Sequence, residues 1–281
     1  MIPSIKSPVF RIPIEPLNQT SFAPFGTVIQ NPDHAPPSTT PPLSVTANQG
    51  SATKYLDVTK LSNFYHLAPS KNPASPVVNM FVCAPRPLRP HQVPHGMEPA
   101  FDVRLLERHP YTPQIFIPVG LARNDPSTCY LVVVAPTLPA APPRPEVLTR
   151  SKPYPTPDPE PKKQSPFERA RPEPFTNSTA PPPATRPLPP EMPKGPGMPD
   201  VRRLRAFVAN GSQGVTYGAG TWHAPMVVIG AEKVAFVVLQ YANAVGNEDC
   251  QEVEIVPGKE GEWPYVVLSG IGRDTLVKAK M

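Results

Sequence analysis

Cysteine is scarce in this 281-residue chain: only Cys83, Cys129 and Cys250, with no C-x-x-C pair. An odd, unpatterned set excludes a disulfide framework and points to a reducing compartment. Long apolar runs are also missing. The longest, such as Tyr130–Pro136, are far too short to span a bilayer, and Met1–Phe10 lacks the apolar core of a signal peptide. The chain therefore reads as a soluble cytoplasmic protein with no membrane partner. One terminal feature adds a second address: Ala279-Lys280-Met281 resembles the S-K-L type of peroxisomal signal. Charge is sparse too, at 17% of residues and net +5. No Lys/Arg stripe with interleaved aromatics appears, which excludes nucleic acid as a partner and leaves a small anion as the suitable one.

Proline is abundant and uneven. Of 47 prolines, 22 lie between Pro136 and Pro199. That stretch has no sustained apolar periodicity, and proline lacks the amide donor that a sheet ladder needs. Tracts such as Tyr154–Pro161 and Pro181–Pro183 favour polyproline II or disorder. Its nine Lys/Arg and seven Asp/Glu between 136 and 200 make it mixed rather than polybasic. The expectation is one catalytic domain over 1–281, with its core in 10–136 and 200–260, interrupted by a disordered Pro-rich insertion at 137–199. Such a segment suits docking to an SH3- or WW-like partner.

The rest of the chain reads as strands. Segments 77–84, 101–106, 114–119, 130–135, 205–209, 214–218, 226–229 and 234–241 are β-branched or aromatic and bounded by Pro or Gly. Many short strands with little helical periodicity argue for an all-β sandwich or barrel. Thr20 or Ser21 is placed to cap a short turn before Phe25, and Asn48-Gln49-Gly50 marks another turn. Gly211 and Gly214 suit a tight turn requiring positive φ.

Two clusters carry the chemistry. The first is Glu107-Arg108-His109-Pro110, with Gln114 five residues after His109 and Gly120 six further on. Alternation along a strand puts Glu107 and His109 on one face and Arg108 on the other. The second is Tyr217-Gly-Ala-Gly220-Thr-Trp222-His223, where a histidine follows a glycine turn into a strand. Glu107, His109, Gln114 and His223 together offer imidazole and carboxylate donors suited to a divalent transition metal such as Ni, Mn or Zn. The same groups also serve as acid, base and hydrogen-bond partners without a metal. Cys250 reads as an inert buried thiol, and Trp222 as a packing residue.

These spacings resemble the two cupin motifs. Glu107-x-His109, Gln114 and Gly120 stand where the first has H-x-H, Glu and Gly, and Gly218-x-Gly220-x-x-His223 matches the second with Gly in place of Pro. A more specific resemblance comes from ordered motifs. Leu106–Pro110, Gln114-x-Phe116-Ile117-Pro118, Leu204–Phe207, Asn210-Gly211-x-Gln213-Gly214-Val215-x-Tyr217 and Trp222-His223-x-Pro225 resemble the ureidoglycolate lyase family. Asn48-x-Gly50 with Tyr55 and Asn247-x-Asp249-Cys250 fit as well.

The resemblance implies a cupin-type double-stranded β-helix, or jelly-roll barrel, with few short helices, working as a homodimer. The implied substrate is ureidoglycolate, cleaved to glyoxylate and urea in allantoin and purine breakdown. That elimination needs a base, for which His223 comes first and His109 second. It needs a proton donor, Tyr217 or Glu107. It also needs a grip on the substrate carboxylate, from Lys54 or Arg108, with Asn48 and Gln114 as further substrate contacts. Two rival readings remain at this point. One is an amidohydrolase on the same substrate, against which six histidines are few. The other is a non-catalytic cupin that binds a small acid and docks through its Pro-rich segment.

Overall fold

The computed structural model describes residues 2–34, 42–139, 192–258 and 262–269. The expected insertion lies mostly outside these residues, as does Ala279-Lys280-Met281. The chain divides into two compact units. One comprises Met1–Pro41, Asp57–Ala140 and Leu188–Met281, and the other Pro42–Leu56 and Ala141–Pro187. The described part of the second unit is a hairpin of Ser44–Ala47 with Ala52–Tyr55, turning through Asn48–Gly50. Asn48 and Gln49 there adopt φ of 49° and 53°.

The first unit is built of open sheets, in keeping with the all-β expectation. The largest runs through Ser4–Ser7, Gln251–Pro257, Leu105–Arg108, Trp222–His223, Thr128–Ala135, Arg205–Ala209 and Ile14–Pro16, with Val227–Gly230 also paired to Thr128–Ala135. A second sheet runs through Gly26–Gln30, Gln213–Tyr217, Gln114–Val119, Val234–Ala242 and Ser75–Cys83. A third runs through Arg11–Ile12, Tyr265–Val267, Gly96–Asp102 and Arg89–Val93. Among the described residues the strand pairing does not close into a continuous barrel; the sheets face one another instead.

The middle position of the largest sheet explains its composition. Strand Thr128–Ala135 (TCYLVVVA) does not alternate apolar with polar, because both of its faces are covered. Tyr130, Val132 and Val134 face the second sheet and pack with Phe116, Val215, Phe236 and Val238. Leu131, Val133 and Ala135 face the other way, with Ile12, Phe101, Leu106, Val253 and Val266. Each fully buried aliphatic chain is worth about 1.5–3 kcal/mol relative to exposure, so this strand anchors both layers. By contrast, Val234–Ala242 alternates cleanly at first: Val234, Phe236 and Val238 are buried, and the residues between are partly exposed.

Several local expectations need correction. The short helix Gln19–Phe22 is capped by Asn18, whose side chain accepts the Ser21 amide, rather than by Thr20 or Ser21. Gly211 and Gly214 do not adopt positive φ. Their requirement is close approach: a Cβ on Gly211 would lie 1.9 Å from the Leu121 carbonyl oxygen, and one on Gly214 2.9 Å from that of Phe116. The edges of the expected 137–199 insertion belong to the fold. Thr137 bridges Pro199, the Leu138 amide donates to the Met198 carbonyl, and Lys194 N donates to the Ala219 carbonyl. No helix among the described residues is long and apolar enough to cross a membrane.

Candidate active site

Three strand ends bring the chemistry together. Leu105–Arg108 stops where His109-Pro110 leaves the ladder, since proline cannot donate to it. Glu107 lies directly opposite His223 in the antiparallel pairing. Gln114 opens the next strand opposite Tyr217. The turn before His223 is drawn in by Gly220, whose φ is 77° and whose amide donates to the His109 carbonyl at 2.8 Å.

Glu107, His109 and His223 each offer one ligand atom within 4.8 Å of the others. His109 Nδ1 lies 2.6 Å from the Asp249 carbonyl oxygen, so it donates there, and Nε2 carries the lone pair. That Nε2 is buried without a hydrogen-bond partner. Burial, followed by the charge of His223, pushes His109 down to about 4, outweighing the Asp249 carbonyl and Glu107. His109 is therefore a neutral imidazole at physiological pH.

His223 is held differently. Its Nδ1 lies 3.0 Å from the Thr221 carbonyl oxygen. Its Nε2 lies 3.2 Å from Gln114 Oε1 and 3.4 Å from Glu107 Oε1. All three neighbours are acceptors. Burial alone would raise the Glu107 carboxyl. The hydrogen bond and charge of His223, with His109, overcome that and hold it below its ordinary value.

Tyr217 stacks on His223 with centroids 3.9 Å apart and planes 10° apart. Its hydroxyl is buried and unpartnered. Burial, then Tyr130 and Glu107, pushes its ionisation well above the phenol range, so it stays a neutral donor. Gln114 Nε2 donates to Gln240 Oε1 at 2.7 Å, which fixes which atom Gln114 turns toward His223.

Arg108, expected with Lys54 as an alternative grip on a carboxylate, is engaged by the protein itself. Its five N–H donors go to Gln251 Oε1 (twice) and to the carbonyls of Gly195, Pro196 and Gly197, at 2.7–3.1 Å. The guanidinium also lies 4.4 Å over the Trp222 ring. With every donor engaged, it tethers 195–197. Asn48 and Lys54 lie on the separate hairpin.

Three contributors were missed in the sequence. Thr221 and Asp249 act through backbone carbonyls, which any residue type supplies, so even the Asn247-x-Asp249-Cys250 motif gave no sign of that contact. Gln240 did carry a signal. It follows Val234, Phe236 and Val238 on the inward parity of its strand, where a polar side chain breaks the apolar series. Two cavities, about 480 Å³ beside Phe25, Thr137 and Lys194 and about 360 Å³ beside Arg86, Asp102 and Arg104, include none of the cluster. The cluster reaches solvent through Glu107, whose side chain is 18% exposed, and through Gln240.

This buried constellation can take a proton at one imidazole and give one at the other, beside a neutral phenol and two amides. Comparison with known proteins points the same way. The family model described as Ureidoglycolate lyase matches residues 9–260. A Schizosaccharomyces pombe protein named ureidoglycolate lyase is 32% identical over 241 residues, covering 86% of this chain and 90% of that protein. One of the same name from Saccharomyces cerevisiae is 30% identical over 244 residues, covering 85% and 91%. Another from Burkholderia mallei is 26% identical over 226 residues, covering 80% and 79%.

Proposed function

This chain belongs to the ureidoglycolate lyase family, and on that premise we propose that it cleaves ureidoglycolate to glyoxylate and urea at the Glu107–His109–His223 cluster. The observation that carries the reading is the pairing of an unpartnered imidazole nitrogen on His109 with a second imidazole, His223, whose Nε2 lies 3.4 Å from the Glu107 carboxylate. The substrate carbon bears a hydroxyl, a ureido nitrogen and a carboxylate. His109 Nε2 takes the hydroxyl proton. The carbon–nitrogen bond breaks as the carbonyl forms, and the electron pair leaves on nitrogen. His223 gives that nitrogen its Nε2 proton and releases urea. This ordering reverses the preference for His223 as base, because His109 Nε2 is unpartnered whereas both His223 nitrogens already face acceptors. General acid–base help of this kind is worth about 10²–10⁴-fold. The Tyr217 hydroxyl supplies a hydrogen bond to developing charge. Lys54 and Asn48 are assigned to the substrate carboxylate on the strength of the motif resemblance.

The same donors suit a divalent ion. An orphaned His109 Nε2, with Nδ1 fixed on a carbonyl, is what a ligating imidazole requires. Glu107, His109, Gln114 and, once it gives up its Nε2 proton, His223 would hold Ni²⁺, Mn²⁺ or Zn²⁺. When bound, the ion would supply Lewis-acid charge near the substrate oxygens.

The protein is assigned to allantoin breakdown as a single catalytic domain acting as a homodimer. What supports the dimer, beyond the resemblance, is the outer face of the second sheet. Val78, Met80 and Val82 on edge strand Ser75–Cys83 are 66%, 60% and 62% exposed. They sit level with Leu239, Val237 and Ala235, and with Ile115, Ile117 and Val119 beyond. A long uncharged edge strand normally meets another strand. A second copy pairing antiparallel along Ser75–Cys83 would present the same uncharged rows from both sides. The cytosol, or the peroxisome through Ala279–Met281, and an SH3- or WW-like partner for the Pro-rich segment rest on sequence alone.

The decisive experiment incubates purified, chelator-treated protein with ureidoglycolate and quantifies glyoxylate, urea and ammonia against a protein-free control. Equal glyoxylate and urea without ammonia is the expected result. Ammonia in place of urea would make the protein an amidohydrolase and overturn the reading.

A further inference from the structure

We infer that Gln240 is a specificity-determining residue that recognises the ureido group of the substrate; the assignment rests on the lyase reading above. The apolar packing of the strand that carries it does not call for an amide at this position. Val234, Phe236 and Val238 on the same parity are buried in the core between the sheets. At the next inward step the series changes to glutamine, on the level of the buried cluster. There Gln240 Oε1 accepts from Gln114 Nε2 at 2.7 Å, and Gln114 Oε1 lies 3.2 Å from His223 Nε2. A line of polar atoms thus runs from the partly exposed Gln240 through Gln114 to the proton that His223 gives.

Gln240 Nε2 makes no hydrogen bond with any described residue. Its Oε1, already accepting once, retains a second lone pair. A primary carboxamide with a free N–H and a free carbonyl lone pair is the complement of a urea. Its N–H meets the urea carbonyl, and its carbonyl meets a urea N–H. Water satisfies the amide while the site is open. A substrate without a ureido group would displace that water and leave the amide unpaired, and such mismatches are how polar sites reject near relatives. The position also suits the chemistry, since the nitrogen that His223 must protonate belongs to the group that Gln240 would hold.

The test uses the full chain as wild type, Gln240→Leu and Gln240→Glu, each checked for an unchanged thermal transition. Steady-state kinetics are measured with ureidoglycolate, and the two products, urea and glyoxylate, serve separately as inhibitors. Loss of one donor–acceptor pair should raise KM and weaken inhibition by urea, each by roughly five- to tenfold, in Gln240→Leu. Inhibition by glyoxylate, which has no ureido group, should stay at the wild-type value. Gln240→Glu keeps the size and an acceptor but loses the donor, and should weaken urea in the same direction. It carries the test if the leucine variant does not fold. Unchanged inhibition by urea, or equal loss for urea and glyoxylate, overturns the assignment while leaving the lyase reading intact. A wild-type protein that forms no urea from ureidoglycolate overturns both.

Discussion

Glu107 and His223 face each other in register across neighbouring antiparallel strands, with His223 Nε2 3.4 Å from Glu107 Oε1. The pair is fixed by backbone pairing rather than by loop conformation, so proton donor and counter-ion keep their relation whatever enters the site. Replacing Glu107 by Gln keeps the size and removes the carboxylate charge beside His223 Nε2. We expect kcat to fall by about 10²-fold or more, within the range for acid–base catalysis, with the thermal transition preserved. His223→Asn should lose a similar factor, and the double variant should lose little more than either alone, since the two act as a unit. Rate losses that multiply in the double variant would separate the two roles.

His109 makes stability depend on pH in a defined direction. Its folded value is about 4, against an ordinary 6.5, chiefly through burial. As pH falls below about 6.5 the unfolded chain takes up a proton that the folded chain refuses. Stability is therefore present above that value, declines down to about 4, and levels off below, a loss on the order of 3 kcal/mol. Urea-unfolding curves of chelator-treated protein between pH 7 and 4 should show this slope, reduced in His109→Asn. An identical slope in the variant would remove His109 as its source.

Arg108 should behave as a structural tether. Its five hydrogen bonds hold 195–197 and Gln251 against Trp222. Arg108→Met leaves those acceptors unpaired, and each buried acceptor left unsatisfied costs about 1–3 kcal/mol. Arg108→Lys should recover little of it, because an ammonium has neither the planar fork nor the stacking face. The expected readout is a large drop in Tm for both variants. A normal Tm with a selectively raised KM would return Arg108 to the substrate carboxylate.

The legible parts of this site were those written in side-chain type and spacing. Alternation puts Glu107 and His109 on one side and Arg108 on the other, and the glycine turn before Trp222 marks the entry of His223. What stayed hidden has a common physical origin. The acceptors that fix both histidine rings are the carbonyls of Thr221 and Asp249, and a carbonyl has no residue-type signature. Arg108 was read as a carboxylate grip or as an outward structural pair, but the carbonyls of 195–197 that take its donors have no residue-type signature. Gly211 and Gly214 were read for φ, when the constraint came from Leu121 and Phe116, far away in sequence. Strand positions followed from β-branched runs bounded by Pro and Gly, but not the stacking of sheets that leaves Thr128–Ala135 covered on both faces.

The outer face of the second sheet gives the last prediction. Val78, Met80 and Val82 alternate along an edge strand with no Lys, Arg, Asp or Glu among its nine residues. Their exposure makes this a place where a second copy would remove apolar surface from water. Carrying Met80→Glu and Val82→Lys in one chain puts charges on that edge, the device by which natural edge strands avoid pairing. The wild type is expected to run as a dimer in size-exclusion chromatography with light scattering, and the double variant as a monomer. Because Met80 and Val82 are exposed on an edge strand and outside both core clusters, the monomer should keep its fold by circular dichroism. A variant that remains dimeric would place the subunit contact on another face.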